Sequence, residues 1–144
     1  MKARHLATIL SLLFGSTAIF AFGSQHSKLE SKVTKTGNNV EVIFMVHANA
    51  DMEITVEAPW SLDVSNMKNL SSGDNNQISI NEFDPSISGM RLNAQLQNEA
   101  EPFSFNYKMK AFVCTKDKKR CYPQTHKGTF VYDFKAPKPK TLAP

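Results

Sequence analysis

From Phe103 to Val113 every second residue is apolar: Phe103, Phe105, Tyr107, Met109, Ala111 and Val113. Ser104, Asn106, Lys108 and Lys110 fill the alternate positions. A period of two puts these residues on opposite faces of a strand, whereas helical spacing would scatter the apolar ones around the whole cylinder. This segment demands a sheet with one face in a core. Shorter runs repeat the demand. Val40 to Val46 is rich in β-branched and aromatic residues, and Met52, Ile54 and Val56 alternate with Glu53 and Thr55. Ile78 and Ile80 form a short run, Met90, Leu92, Ala94 and Leu96 a clear one, and Phe130, Tyr132 and Phe134 the last. Trp60, after the Ala58-Pro59 break, reads as a core plug.

Six or seven short strands joined by polar turns predict an all-β fold, an immunoglobulin-like antiparallel β-sandwich over residues 39–135. The polar stretch 24–38 carries no core pattern and reads as a loose lead-in. Residues 65–76, with Ser71-Ser72-Gly73-Asp74-Asn75-Asn76, read as a loop, and the Pro/Lys-rich tail 136–144 lies outside the sheet. At 144 residues, 41% hydrophobic and 21% charged, the chain can bury one core and is not a disordered polymer.

The N-terminus reads as an address. Lys2 and Arg4 precede an apolar run from Leu6 to Phe22, and Ala21-Phe22-Gly23 supplies small residues for a cut ahead of Ser24. That is the layout of a secretory signal peptide, residues 1–23. An uncleaved anchor is the rival reading. The run is interrupted by Ser11, Gly15, Ser16 and Thr17, which makes it marginal for crossing about 30 Å of hydrocarbon. The expectation is a periplasmic or secreted chain with no stable membrane insertion after cleavage.

Charge divides along the expected mature chain. Residues 24–107 hold five basic and eleven acidic side chains, net −6, while residues 108–144 hold ten basic and two acidic, net +8. A basic end raises the question of nucleic acid. A secreted chain meets little of it, and Trp60, Tyr107 and Tyr132 sit in strand patterns rather than on a stacking platform. No nucleic-acid partner is expected. There is no Gly-x-Ser-x-Gly elbow, no phosphate-binding glycine loop, and no carboxylate paired with a His at telling spacing.

Chemistry concentrates in two cysteines. Cys114 ends the long alternating strand, Cys121 lies just before the next, and Thr115-Lys116-Asp117-Lys118-Lys119-Arg120 separates them. If the strands pair as a hairpin, the turn brings both sulfurs to one end of the sheet, within bonding reach in an oxidising compartment. Closing so short a loop stabilises by about 2.5 kcal/mol in the chain-entropy account, near the low end for disulfides. Lys116, Lys118, Lys119 and Arg120 favour a thiolate, which is the reactive form. The residues alone leave two readings open, a structural staple or a working redox pair. A copper site is the further candidate, from Cys121, His126 and His47, but no Met follows His126 where a fourth ligand belongs. His126 therefore reads as a surface histidine, and neither metal nor cofactor is expected.

Cys121-Tyr122-Pro123, preceded by a second Cys and by Phe105-Asn106-Tyr107-Lys108-Met109-Lys110, resembles the N-terminal periplasmic domain of the thiol:disulfide interchange protein DsbD family. Ala58-Pro59-Trp60 and Glu82-Phe83 are weaker likenesses. The resemblance implies an immunoglobulin-like sandwich whose cysteine pair takes electrons from a thioredoxin-like partner and passes them to other periplasmic proteins. It implies that Cys121 attacks, Cys114 resolves, and Glu82-Phe83 caps the disulfide until a partner displaces it. Tyr122, Pro123, Lys119 and Arg120 would modulate the pair. The six-residue spacer is one longer than the family leads one to expect, and the turn is basic rather than small and neutral. The chain holds neither the transmembrane carrier nor the thioredoxin-like domain that flank this module in the family. A free-standing module would exchange with thioredoxin-like periplasmic proteins or a membrane thiol carrier. The rival function is a non-catalytic secreted β-sandwich that binds a protein partner, its disulfide only pinning a loop.

Overall fold

The computed structural model describes residues 25–73 and 76–136; the expected signal peptide and the tail beyond Ala136 lie outside them. Among the described residues nine strands run in chain order: β1 (Ser27–Thr36), β2 (Asn39–Ala48), β3 (Met52–Ile54), β4 (Ser61–Lys68), β5 (Leu70–Ser71), β6 (Gln77–Ile80), β7 (Gly89–Leu96), β8 (Phe103–Thr115) and β9 (Cys121–Tyr132). They make two antiparallel sheets, the first ordered β1-β2-β7-β5. In the second, β8 is flanked by β9 on one side and by β3 and β4, end to end, on the other, with β6 outside β4. The fold is an all-β sandwich.

The alternation seen in the sequence becomes the core. Val40, Val42, Phe44 and Val46 of β2 and Met90, Leu92 and Leu96 of β7 pack with Phe103, Phe105, Tyr107 and Met109 of β8 and Leu62 and Val64 of β4. Fully burying each such side chain is worth roughly 1.5–3 kcal/mol, enough for this one face to decide the register of every strand. Phe44 meets Phe105 and Phe130 edge-on across the gap, with ring centroids 6.2 and 6.1 Å apart. Gly89 lets β7 approach β2 closely: a Cβ there would lie 1.8 Å from the Phe44 carbonyl oxygen.

Several expectations are corrected. Residues 27–36 are not a loose lead-in but a full strand, paired with β2 from Ser27↔Ala48 to Thr36↔Asn39. As an edge strand β1 buries little, and its hydrophobic contacts with the core come from Leu29 and Val33, so its pattern is faint. The region expected as a loop from residue 65 contains the end of β4 and all of β5, with Met67 and Leu70 buried. Asn66 and Asn69 (φ +52° and +57°) carry the chain through a register shift and across to the other sheet. A chain that changes sheets loses its period of two at the crossing. Val56 falls outside β3 and is exposed, and β9 ends before Phe134, which still packs on the core.

Candidate functional site

The β8–β9 hairpin positions the cysteines. Its ladder runs from Phe103↔Tyr132 to Cys114↔Cys121, so the two cysteines are its last facing pair. Their sulfurs are bonded and their Cα atoms lie 4.0 Å apart. The tip beyond them is closely tied. Thr115 N–H donates to the Arg120 carbonyl at 2.8 Å, and Lys118 N–H to the Thr115 carbonyl at 2.7 Å. Thr115 Oγ1 donates to Asp117 at 2.5 Å, and Lys119 N–H donates to the same carboxylate. These bonds, the Thr115 hydroxyl first, hold the Asp117 carboxyl below its ordinary pKa. Lys118 accepts a left-handed backbone (φ +58°) to close the turn.

The two sulfur-bearing residues differ in access. Cys121 is exposed, whereas Cys114 is only 3% exposed. Alternation explains where they point. Val113 and Tyr122 pair one step back along the ladder and face the sheet interior, so Cys114 and Cys121 lie on the outer face. There they border a cleft of about 200 Å³ lined by Glu53, Ile54, Thr55, Val56, Glu57 and Lys118. Thr55 N–H donates to the Phe112 carbonyl, and Trp60 Nε1–H donates to the Thr55 carbonyl at 2.8 Å. The lip of the cleft is thereby tied both to β8 and to a buried indole. Val56, on that lip, is 61% exposed.

Of the motif residues, Pro123 is exposed and faces the half-buried Phe112 two steps along the ladder from the disulfide, on the same face. A proline is tolerated there because β9 is an edge strand and has no second ladder to supply. Tyr122 turns inward and packs on His26, ring centroids 4.6 Å apart. Lys119 and Arg120 are exposed at the tip, and Lys118 is the tip cation that lines the cleft. Glu82 and Phe83 line a separate cleft with Asp84 and Arg91. Phe83 packs on Trp60 with ring centroids 4.4 Å apart and the planes tilted by 43°, so it meets the lip of the disulfide cleft through the indole. Its loop is fastened by Arg91, which donates to Asp84 at 2.7 Å and to Glu41 of β2 at 2.9 Å. The Ser86 hydroxyl and then Arg91 lower the Asp84 carboxyl pKa to about 2.

Sequence reasoning missed two groups. Glu53 to Glu57 became cleft residues only because β3 pairs with the far end of β8, a contact sixty residues away in the chain that no local pattern encodes. His126 is not a surface histidine: it is fully buried, opposite Met109, with Nε2 3.0 Å from Ser27 Oγ. Burial pushes its pKa down. Gln124, also buried, accepts from His26 N–H at 3.0 Å. The period of two itself marked both, since Gln124 and His126 share parity with Phe130. Among the described residues no three His, Cys, Asp or Glu side chains are grouped to hold a metal ion. The chemistry within reach is that of a disulfide between one buried and one exposed cysteine. Comparison with protein-family models, with curated proteins and with solved structures finds no match for this chain.

Proposed function

We propose that the chain is a thiol–disulfide exchange module of the periplasm or another secreted compartment, passing electrons through Cys114 and Cys121 to or from partner proteins. The observation that carries this reading is the unequal exposure of the two bonded cysteines at the turn end of the β8–β9 hairpin. An attacking thiolate reaches Cys121 from solvent and expels Cys114, which the cleft shelters; exchange then runs through a mixed disulfide on Cys121. A staple has little to do here. The bond joins neighbouring strands already locked by twelve facing pairs, and the tip has its own hydrogen bonds.

The resemblance of Cys121-Tyr122-Pro123 and its preceding strand to the DsbD N-terminal domain supports the same reading, with thioredoxin-like proteins or a membrane thiol carrier as partners. Phe83 serves the pair indirectly, by bracing Trp60 and through it the Thr55 lip. Lys118, Lys119 and Arg120 favour the Cys121 thiolate.

Trapping tests this. Cys114→Ser should accumulate covalent adducts with partner proteins in the native compartment, Cys121→Ser should give none, and the pair's potential should lie above about −300 mV. Absence of adducts together with a lower potential would leave a non-catalytic binding sandwich with a structural disulfide.

A further inference from the structure

We propose that Glu53 is the proton-transfer group for the Cys114 sulfur during exchange, an inference that rests on the exchange reading above. Glu53 is the facing partner of Cys114 on β3, and Cys114 is the facing partner of Cys121 on β9. Facing residues of antiparallel strands point to the same side, with Cβ atoms about 4.5–5.5 Å apart. A glutamate, a buried cysteine and an exposed cysteine thus form one row across three strands. All three border the same cleft.

The chemistry needs such a group at Cys114 and not at Cys121. When a partner thiolate attacks Cys121 Sγ, a new S–S bond forms and the Cys114–Cys121 bond breaks. Its electron pair leaves on Cys114 Sγ. Cys121 stands in water, but a charge on the nearly buried Cys114 is poorly solvated and must be neutralised. Glu53, half-buried at the cleft, takes a proton from solvent, passes it to this thiolate to give the Cys114 thiol, and is left as the carboxylate. The partner's second thiolate then attacks its own sulfur in the mixed disulfide and releases Cys121 thiolate, so two electrons have passed from the partner dithiol to the pair. In the reverse direction the Glu53 carboxylate accepts the Cys114 proton as Cys114 Sγ attacks Cys121 Sγ and expels the partner thiolate.

The other charged groups at the cleft are Glu57, on the segment after β3, and Lys118, at the tip. Neither has Glu53's place: Glu57 lies beyond the end of β3 and is exposed, and Lys118 is a cation that stabilises either thiolate without accepting a proton.

The experiment uses the reduced full chain and an aryl disulfide reagent, dithiobis-nitrobenzoate. Cys121 releases the first nitrothiophenolate on forming the mixed disulfide. Release of the second reports attack by Cys114, followed from about pH 5 to about pH 8. Glu53→Gln should slow the second release by about 10²-fold and remove the carboxylate-dependent limb of its pH profile. Glu53→Asp should restore part of both, and Glu57→Gln should change neither. A second release within about twofold of wild type at every pH in Glu53→Gln would overturn the inference, given a general-base effect of the usual size. The two readings separate cleanly. Adducts in the trapping experiment with a flat Glu53→Gln profile remove Glu53 alone, whereas an intact Glu53 effect without adducts removes the exchange reading and this inference's physiological setting.

Discussion

Cys114 and Cys121 share a bond but not an environment, and their chemistry follows from that difference. One residue on, the side chains turn inward and the environment changes again. Tyr122 packs on His26, Gln124 holds the His26 N–H, and His126 sits beside Ser27 Oγ with no exposed surface. This polar seam joins the start of β1 to β9 at the edge of the sandwich. Buried imidazole resists protonation, and the pKa of His126 is lowered from 6.5 by burial. The unfolded chain therefore binds more protons than the native one as pH falls below about 6.5, so stability rises with pH through that window and is lost on acidification. Thermal melts from about pH 7.5 down to about pH 5 should show this slope in wild type and a shallower one in His126→Gln. Equal slopes would mean that His126 takes up a proton as readily in the folded chain as in the unfolded one.

Among the elements, the β8–β9 hairpin is the one that carries both the core and the site. Its alternation fills the core with Phe103, Phe105, Tyr107 and Met109, and the same periodicity sets Cys114 and Cys121 on the outer face. Because the ladder already aligns the strands, cutting the cross-link should leave the fold in place. Cys114→Ser with Cys121→Ser should cost at most about 2.5 kcal/mol, the entropy of closing that short loop, measured by urea unfolding with an unchanged m-value. A larger loss, or a collapsed m-value, would make the disulfide an architectural necessity. The exchange reading predicts the milder result, since a bond that is broken in each turnover must not be needed to hold the sheet. β3 is the complement of this hairpin. Only three residues long, it nonetheless supplies Glu53 and leads into the Thr55 lip that Trp60 holds.

At the scale of the molecule, charge is segregated. Lys116, Lys118, Lys119 and Arg120 crowd one exposed tip beside the disulfide, while most acidic residues precede β8. Exposed charge of one sign steers ligands of the other and is screened by salt. Reduction of the disulfide by glutathione, which carries extra negative charge, should slow several-fold as ionic strength rises from about 0.01 to about 0.5 M. Reduction by dithiothreitol should depend less on salt, and replacing Lys118, Lys119 and Arg120 by Gln should bring the two slopes together. Identical salt slopes in wild type would show that the tip does not steer.

Much of this protein was legible from one dimension. The period of two in β2, β7 and β8 fixes their inward faces, because burying alternate side chains outweighs any local preference, and the short polar turn between two long strands brings Cys114 to Cys121. The tertiary structure alone decided the rest. It made a strand of the polar residues 27–36, since an edge strand is held by backbone hydrogen bonds to β2 rather than by a buried face. It sealed His126 inside, exposed Cys121 while covering Cys114, and set Glu53 opposite Cys114 in the sheet. Those relations join segments far apart in the chain, and contact between distant residues depends on how strands are ordered within a sheet, which no stretch of local sequence specifies.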